Sequence, residues 1–391
     1  MSTGTATTVA PSDLTGVREA VLDRAGPLRF SGAGTKLGWG VEPADIDLII
    51  QASAMTDVLA YDAADATVAV QAGVALADLQ RTLAEHDQWL AIDPPHVDEG
   101  ATVGGVLASN DTGPLRVAYG TMRDLVIGAT YVLADGSVGR TGGYVIKNVA
   151  GYDMAKLLCG SLGTLAFVAE VVLRVHPRPA SSSTLRVPAD ATTAAAIAAT
   201  VGTAPVEPVA FEWTDDTLWI RFAGQPDAVS AQMDRTADLL GDRRAGADAV
   251  DGDDEVDAWD RLRAGMAGTG GQTVVRAACL PAHLPAAARA CAAAADASGV
   301  DAQLQATVPL GVLTARVSGA DAVGHVAFVD AWRAALTDIG GHAVVRRTDD
   351  GVAGTVDVWG PPPSAIALMR RVKRQLDPDG RCAPGTFVGG M

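Results

Sequence analysis

Three glycine-rich segments of this sequence could perform chemistry, because each could hold an anionic ligand against its backbone. Residues 31–36, SGAGTK, follow a strand-like run, and their glycines would let consecutive backbone N–H groups converge on an anion. Residues 100–110 predict a turn that enters a helix near Thr102, whose N–H groups and dipole favour a phosphate. Residues 147–164 predict a helix capped by Asp153 and then a glycine turn into a strand. One such turn is weak evidence, so the prediction depends on the order and spacing of all three.

The first segment is not a dinucleotide-binding loop of the Rossmann type. That fingerprint requires G-x-G-x-x-G at the opening of a helix, whereas Leu37 stands at the position of the third glycine. The residues that follow, GWGVEPAD, carry two glycines and a proline where the helix would begin. The Walker A spacing, G-x-x-x-x-G-K-[ST], is also absent. Both kinds of nucleotide loop are therefore excluded.

The charge balance excludes two classes of partner. The formal net charge is −16, from 46 acidic and 30 basic residues, whereas binding to nucleic acid or to anionic lipid requires a cationic face. No apolar run approaches the length that crosses a bilayer, and the first 14 residues lack the features of a signal peptide. We therefore expect a cytoplasmic protein that binds no nucleic acid and does not insert directly into a membrane.

Neither the cysteines nor the histidines have the spacing of metal ligands. No C-x-x-C pair occurs, and no two histidines lie four residues apart as in a helical metal site. The residues concerned are Cys159, Cys279, Cys291, Cys382, His86, His96, His176, His283, His325 and His342. The sequence predicts no metal site and four free thiols.

The elements that must position the glycine segments alternate between short strands and short helices. The predicted elements of the first half are helices at 14–23 and 76–85, strands at 28–30, 47–50, 67–73 and 165–175, and a hairpin over 124–140. Asp135 and Gly136 are typical of the turn of such a hairpin. Prolines and serines at 176–183 mark a domain boundary.

The second half combines alanine-rich helices with further strands. Strands are predicted at 209–213, 217–222 and 274–280, and a helix at 365–376. The acidic stretch 242–260 predicts a solvated surface loop. Arg276, Arg316 and Arg346 lie on strand-like runs and are candidate anchors for a carboxylate, although an arginine on a strand often has no such role.

Taken together, these segments resemble the FAD-binding domain of the vanillyl-alcohol oxidase superfamily, also called the p-cresol methylhydroxylase type. The resemblance to the FAD-binding subunit of bacterial glycolate oxidases is the strongest. It is carried by GAGTK at 32–36, ATVGGVLASN at 101–110, GTMRDLVIGATYVLADG at 120–136, the long run from KNVAGYD at 147 to GSLGT at 160–164 and onward to 179, and the chain's end from Leu376 to Gly385.

The resemblance implies an α+β fold with a split FAD-binding domain. Its two α+β subdomains would occupy residues 1–180, a smaller α+β cap domain 181–360, and a helix with a closing turn, 361–391, would return to the FAD-binding domain. In the first glycine segment, the family's covalent flavin attachment uses a histidine or cysteine, and residues 31–36 contain neither. We therefore expect non-covalent FAD. Ala383 also stands where the family's closing turn usually has asparagine.

The resemblance also assigns roles to individual residues. Backbone contacts to the pyrophosphate are implied for Gly32, Ala33, Gly34, Thr35 and Lys36. Residues that flank it from the other side, or lie just beyond, would be Thr102, Gly104, Gly105, Asn110 and Gly113. Those approaching the flavin or its ribityl chain would be Gly160, Ser161, Gly163 and Thr164. Lys147 and Asn148 would lie near the polar edge of the flavin. In the alternative interpretation, Lys147 pairs with a carboxylate and Asn148 holds a turn.

Two functions follow from the resemblance, and a third reading is weaker. The first is an enzyme subunit in which FAD oxidises a small 2-hydroxy acid, glycolate or D-lactate, to the 2-oxo acid; its catalytic base is not identifiable. The second is a non-catalytic FAD carrier in a hetero-oligomer with a second flavin subunit and an iron–sulfur subunit, through which it could also associate with a membrane. The absence of the histidine-rich metal motif of catalytic relatives favours the second. A scaffold without FAD would not need three approachable glycine segments.

Overall fold

The computed structural model describes residues 6–43, 45–143, 151–349 and 351–391. Packing divides the chain into two compact units. The first unit comprises 1–112, 120–178 and 361–391, and the second comprises 113–119 and 179–360. Lys147 and Asn148, two of the predicted cofactor residues, lie outside the described residues.

Strands account for most of the framework of both units. In chain order they are β1 (Thr7–Val9), β2 (Leu28–Ser31), β3 (Leu48–Gln51), β4 (Val58–Asp62), β5 (Thr67–Gln71), β6 (Gln88–Trp89), β7 (Val126–Val132), β8 (Val138–Gly142), β9 (Phe167–Arg174), β10 (His176–Pro177), β11 (Ser181–Pro188), β12 (Ala210–Thr214), β13 (Thr217–Gly224), β14 (Asp248–Val250), β15 (Thr273–Ala278), β16 (Asp301–Thr307), β17 (Val312–Ser318) and β18 (His342–Arg347).

The helices connect these strands or cover one face of a sheet. In chain order they are α1 (Leu14–Leu22), α2 (Leu76–Ala84), α3 (Val103–Ser109), α4 (Arg116–Tyr119), α5 (Met122–Leu125), α6 (Met154–Leu158), α7 (Ala191–Val201), α8 (Pro226–Leu240), α9 (Gly252–Ala267), α10 (Leu284–Ser298), α11 (Ala322–Asp338) and α12 (Ile366–Leu376). The α+β class and the strands and helices predicted above are confirmed, apart from one stretch described below.

The first unit contains two main sheets. A parallel sheet has the order β1-β3-β2, and an antiparallel sheet has the order β4-β5-β9-β7-β8. Strand β9 alternates strictly between buried and half-buried residues, as the period of a strand requires. The hairpin of β7 and β8 turns at Asp135–Gly136, where Gly136 has φ +77°, a conformation that glycine adopts readily. The first glycine segment thus follows strand β2 of the parallel sheet, and the third leads into strand β9 of the antiparallel sheet.

The second unit is built on one antiparallel sheet with two different faces. Its strand order is β14-β11-β13-β12-β16-β17-β15-β18. One face carries a large apolar core against α7, α8, α10 and α11, with Phe211, Phe222 and Trp332 fully buried. The residues that alternate with this core point to the opposite face, which is rich in arginine, threonine, glutamine and glutamate.

The prediction of a surface loop over 242–260 was wrong. The stretch contains β14 and the first half of α9. Glu255 is buried and accepts hydrogen bonds from the hydroxyls of Ser182 and Thr184, while Trp259 packs beside it in a small apolar cluster. The other acids of α9 in this stretch lie on its exposed face, and Asp242, Asp248 and Asp251, outside the helix, are exposed as well. The charge run therefore marked one face of an amphipathic helix, which composition alone does not distinguish from a loop.

A buried ion pair within the C-terminal segment helps to hold that segment against the rest of the first unit. Lys373 donates from Nζ to Asp377 Oδ2 at 2.6 Å, to the carbonyl of Thr164 at 2.6 Å and to that of Cys382 at 2.8 Å. Asp377 also accepts the backbone N–H groups of Arg381 and Cys382. Cys382 in turn forms a parallel bridge with Leu28. Because each charge is paired and hydrogen-bonded, this network can be buried without a net penalty from unpaired groups.

Removing one partner of this pair should strongly destabilise the first unit. Lys373→Met would leave Asp377 buried without its countercharge, so we expect a loss of about 3–5 kcal/mol in the free energy of unfolding. Arg374→Met, on the exposed face of the same helix, should change it by less than about 0.5 kcal/mol. Urea unfolding followed by circular dichroism measures both. Equal effects of the two substitutions would contradict the role assigned to the ion pair.

Candidate active site

A cleft that is open to solvent lies within the first unit where its glycine segments meet. Its walls come from the end of β2 and the loop after it, from α3, from the loop before β9, and from the C-terminal turn. The lining residues include 29–37, Trp39, Ala52, Ala72, Thr102, Gly104, Gly105, Ala108, Ser109, 161–163, 166–168, Ala383 and Thr386. Four segments that are distant in the sequence thus form one site.

The first wall is the loop at 32–36, which turns sharply after β2. Gly34 has φ +83°, a conformation that other residues rarely adopt. Gly32 faces Thr102 so closely that a Cβ at position 32 would overlap the threonine hydroxyl. Glycine at both positions therefore leaves the backbone of the loop exposed to the cleft.

Lys36 ends this loop and brings a buried positive charge to the cleft. Its Nζ lies 3.5 Å from Asp111 Oδ2, and both side chains are more than nine-tenths buried. Burial lowers the pKa of Lys36 below its ordinary value of 10.5, and the Asp111 carboxylate partly offsets that effect. The ion pair keeps an ammonium group at the wall of the cleft, where it favours an anionic ligand.

The second wall is the entrance to α3. Thr102 caps the helix, since its side chain accepts a hydrogen bond from the Gly105 N–H at 3.1 Å. Gly104 donates from its N–H to the Ala72 carbonyl at 2.8 Å, and a Cβ at position 104 would lie 2.6 Å from the Ala72 Cβ. The prediction that a helix begins near Thr102 is confirmed, and the missing side chain at 104 lets it pack directly on the end of β5.

The third wall is the turn at 160–164, which docks on the other end of α3. Gly160 and Leu162 donate backbone hydrogen bonds to the carbonyls of Leu107 and Ala108. Gly160, Leu162 and Gly163 all have positive φ, at 79°, 52° and 72°. The turn thus satisfies carbonyl groups at the end of the helix that would otherwise lack partners. Asp153 caps the preceding helix, as predicted.

Not all of the predicted residues line the cleft. Those that do are Gly32, Ala33, Gly34, Thr35, Lys36, Thr102, Gly104, Gly105, Ser161 and Gly163. Asn110, Gly160 and Thr164 are not among the lining residues, and Asn110 ends α3 in a left-handed conformation with φ +48°. Gly113 groups with the second unit. Ser31, Ser109 and Thr386 also line the cleft, although the sequence assigned them no role in cofactor binding.

The fold and the cleft together define an FAD-binding domain, and the comparison with protein families agrees. Residues 6–142 match the family model described as "FAD binding domain". FAD is therefore the cofactor of this part of the chain, and the resemblance inferred from its motifs is confirmed.

Curated relatives make the comparison more specific. Glycolate oxidase subunit GlcE of Escherichia coli is 33% identical over 217 residues, which are 55% of this chain and 61% of that protein. Glycolate oxidase subunit GlcD of Bacillus subtilis is 36% identical over 159 residues, or 41% of this chain and 34% of that one. D-lactate dehydrogenase of Archaeoglobus fulgidus is 37% identical over 163 residues, or 41% and 36%. The alignments thus span between about one third and three fifths of these relatives.

Solved structures support the fold of the whole chain. A structure of alkyldihydroxyacetonephosphate synthase superposes with a TM-score of 0.73 over 97% of this chain and 76% of its own, at 17% sequence identity. A second crystal form of the same protein gives a TM-score of 0.72 at 18% identity. At this level of identity the similarity concerns the architecture alone.

The residues of the cleft fit FAD. The glycine positions expose backbone that a Cβ would cover, and Lys36 supplies a positive charge for the phosphates. The side-chain oxygen of Ser31 is buried and has no hydrogen-bond partner among the described residues. Apolar groups such as Phe30 and Phe167, whose rings meet edge to face at 5.5 Å, line the remainder. A cofactor with both anionic and aromatic parts suits this lining.

Two of the candidate carboxylate anchors, Arg276 and Arg316, lie on the polar sheet face of the second unit, and Arg346 lies on β18. Arg316 on β17 is half-buried, and its Nη2 donates to Gln303 Oε1 at 2.8 Å. Arg276 on β15 lies 3.5 Å from the hydroxyl of Thr314. Within the described ranges, no group of three or more His, Cys, Asp or Glu side chains is arranged to hold a metal ion. No helix in the described part of the chain is long and apolar enough to cross a membrane.

Glu212 on β12 is a fully buried carboxyl group in the same sheet face. It accepts hydrogen bonds from Thr307 Oγ1 at 2.5 Å and Gln305 Nε2 at 2.9 Å. Burial raises the pKa of Glu212 above its ordinary value of 4.5, although these hydrogen bonds and the charges of Arg276 and Arg116 act in the opposite direction. The sequence does not predict a buried carboxyl group here, because a single glutamate in a strand belongs to no recognisable motif.

Substitution of Gly32 tests the close approach between the first two walls. Gly32→Ala would force the Thr102 hydroxyl away from Gly105, and overpacking of this kind costs about 1–3 kcal/mol. We expect the dissociation constant for FAD to rise roughly 5- to 150-fold. Gly38→Ala is the matched control, since a Cβ there would meet nothing within 4 Å. Titration of flavin fluorescence measures both constants; unchanged binding by Gly32→Ala would refute the assignment.

The raised pKa of Glu212 predicts how stability depends on pH. The folded state holds this proton more tightly than the unfolded state, so its contribution is complete below about pH 4.5 and is lost as the pH rises through the raised pKa. Relative to Glu212→Gln, the wild type should therefore become progressively less stable above pH 4.5. Urea unfolding from pH 4.5 to 8 measures the difference, with the exposed Glu207→Gln as control. A difference that does not vary with pH would contradict the prediction.

Proposed function

We propose that this chain is the FAD-binding subunit of a glycolate oxidase-like complex and takes part in the oxidation of a small 2-hydroxy acid, glycolate or D-lactate, to the 2-oxo acid. The observation that carries the proposal is the cleft with its three glycine segments, in a chain similar to relatives named for glycolate oxidase and D-lactate dehydrogenase. FAD, bound non-covalently, would supply the redox chemistry by accepting a hydride equivalent.

The chain's own residues would bind and orient the cofactor. The backbone of Gly32 and Gly34 would approach the pyrophosphate, and Lys36, held by Asp111, would balance its charge. The glycine turn at 160–164 would hold α3 in place against the cleft. Apolar walls would exclude water from the flavin and so strengthen these electrostatic interactions.

The proposal also needs a group that binds the carboxylate of the acid. Arg316 of the second unit is a candidate, because it is half-buried and its guanidinium donates to the side-chain amide of Gln303. Burial lowers the pKa of Arg316, and the Asp215 carboxylate partly offsets that effect. A substrate carboxylate would add a charged hydrogen-bond partner to this guanidinium.

The alternative is an FAD-carrying subunit without substrate turnover of its own. The alignment that covers the largest part of the chain among these relatives is to a protein named as a subunit, GlcE. In that case a second flavin subunit and an iron–sulfur subunit would complete a cytoplasmic complex, with any contact to a membrane made through those partners.

The test is the visible spectrum of the isolated chain, recorded before and after anaerobic addition of glycolate or D-lactate. We expect a yellow protein whose flavin absorbance bleaches with one of the acids. Arg316→Met should slow the bleaching roughly tenfold or more without altering the oxidised spectrum, because hydrogen bonds to charged groups contribute about 1.5–3 kcal/mol. Arg289→Met, on the exposed side of α10, is the control.

The outcomes separate the alternatives. A yellow protein that bleaches with neither acid would favour the FAD-carrying subunit. A folded, colourless protein that takes up no added FAD would refute the proposed function altogether. Equal rates for the two arginine variants would reject Arg316 as the anchor while leaving the redox activity in place.

A further inference from the structure

Ser31, the last residue of β2, has a buried hydroxyl group without a hydrogen-bond partner in the described part of the chain. The residue is only 8% exposed and lines the cleft, and its Oγ has no hydrogen-bond partner among the described residues. Its backbone is fixed by the parallel pairing of Ser31 with Gln51 on β3. The hydroxyl is therefore a buried donor held in place at the wall of the cleft.

Two other hydroxyl groups of the cleft lining, those of Ser109 and Thr102, have hydrogen-bond partners within the protein. Ser109 is similarly buried, at 6% exposed, and donates from Oγ to the Gly105 carbonyl at 2.8 Å. Thr102 Oγ1 accepts from the N–H of Gly105. A buried polar atom without a partner destabilises a folded protein, and native structures contain few such atoms. The contrast between Ser31 and Ser109 therefore needs an explanation.

We propose that the Ser31 hydroxyl donates a hydrogen bond to an oxygen of the bound FAD and so helps to position the cofactor. The proposal rests on the assignment of this cleft to FAD. The cofactor offers phosphate, ribityl and ring carbonyl oxygens, each of which accepts such a bond. The hydroxyl lies directly before the exposed backbone of Gly32, on a strand that does not need to move when the ligand binds. The unpaired hydroxyl destabilises the FAD-free protein, but the donor is already in position when the cofactor binds.

Two alanine variants test the proposal, because Ser31 and Ser109 should respond in opposite ways. Ser31→Ala should raise the dissociation constant for FAD roughly 5- to 30-fold, since one hydrogen bond to the ligand is lost. The thermal midpoint of its FAD-free form should be equal to or above that of the wild type. Ser109→Ala, which removes a hydrogen bond within the protein, should instead lower the midpoint of the FAD-free form. Fluorescence titration with FAD and thermal unfolding of FAD-free protein give the two readouts.

Each result decides a different point. If the wild type binds FAD and Ser31→Ala binds it equally well, the role of Ser31 is refuted while the cofactor site stands. If Ser31→Ala loses affinity and its FAD-free form is also destabilised, the hydroxyl is structural and the proposal fails. If the wild type takes up no FAD, the assignment of the cleft fails first and the role of Ser31 fails with it. Weaker binding by an undiminished FAD-free protein is the result we expect.

Discussion

Between Gly32 and Thr102 there is no room for a methyl group, and the same holds between Gly104 and Ala72. These two close approaches place the first glycine loop on the entrance of α3, and α3 on the end of β5. The turn at 160–164 then closes the other end of the helix with backbone hydrogen bonds. Part of the cleft is therefore walled by backbone, and such a wall suits the phosphates of FAD.

The C-terminal segment completes this cleft from the far end of the sequence. The pair of Lys373 and Asp377 is bonded to carbonyl and N–H groups on both sides of the junction, so no charge is left unpaired. Arg381 adds hydrogen bonds to the carbonyls of Gly26 and Ala134. Ala383, which follows directly, lines the cleft with φ +41°, a strained conformation for alanine. The ion pair thus holds a strained turn beside the cofactor site.

The second unit divides its polar and apolar groups by sheet face. Helices cover the apolar face, and the other face buries Glu212 and Glu255 among hydroxyl, amide and guanidinium groups. Each of these carboxyl groups has several hydrogen-bond partners, as buried charges require. Arg316 differs, because its partner is an amide rather than a carboxylate.

The resemblance to a known family indicated FAD and the α+β class, whereas the residues themselves determined the three glycine segments, the start of a helix near Thr102, the cap at Asp153 and the exclusion of a Rossmann loop. These features depend on local spacing and on residues that favour particular backbone conformations, so they can be recognised without knowledge of tertiary contacts. Tertiary structure alone decided that Asn110, Gly160 and Thr164 do not line the cleft, that the Ser31 hydroxyl has no hydrogen-bond partner among the described residues, and that Ala383 and Thr386 reach the cleft. It also decided that the acidic run after Asp251 is helical. The physical reason is that side-chain orientation and long-range approach depend on packing between segments far apart in the chain, which no local pattern records.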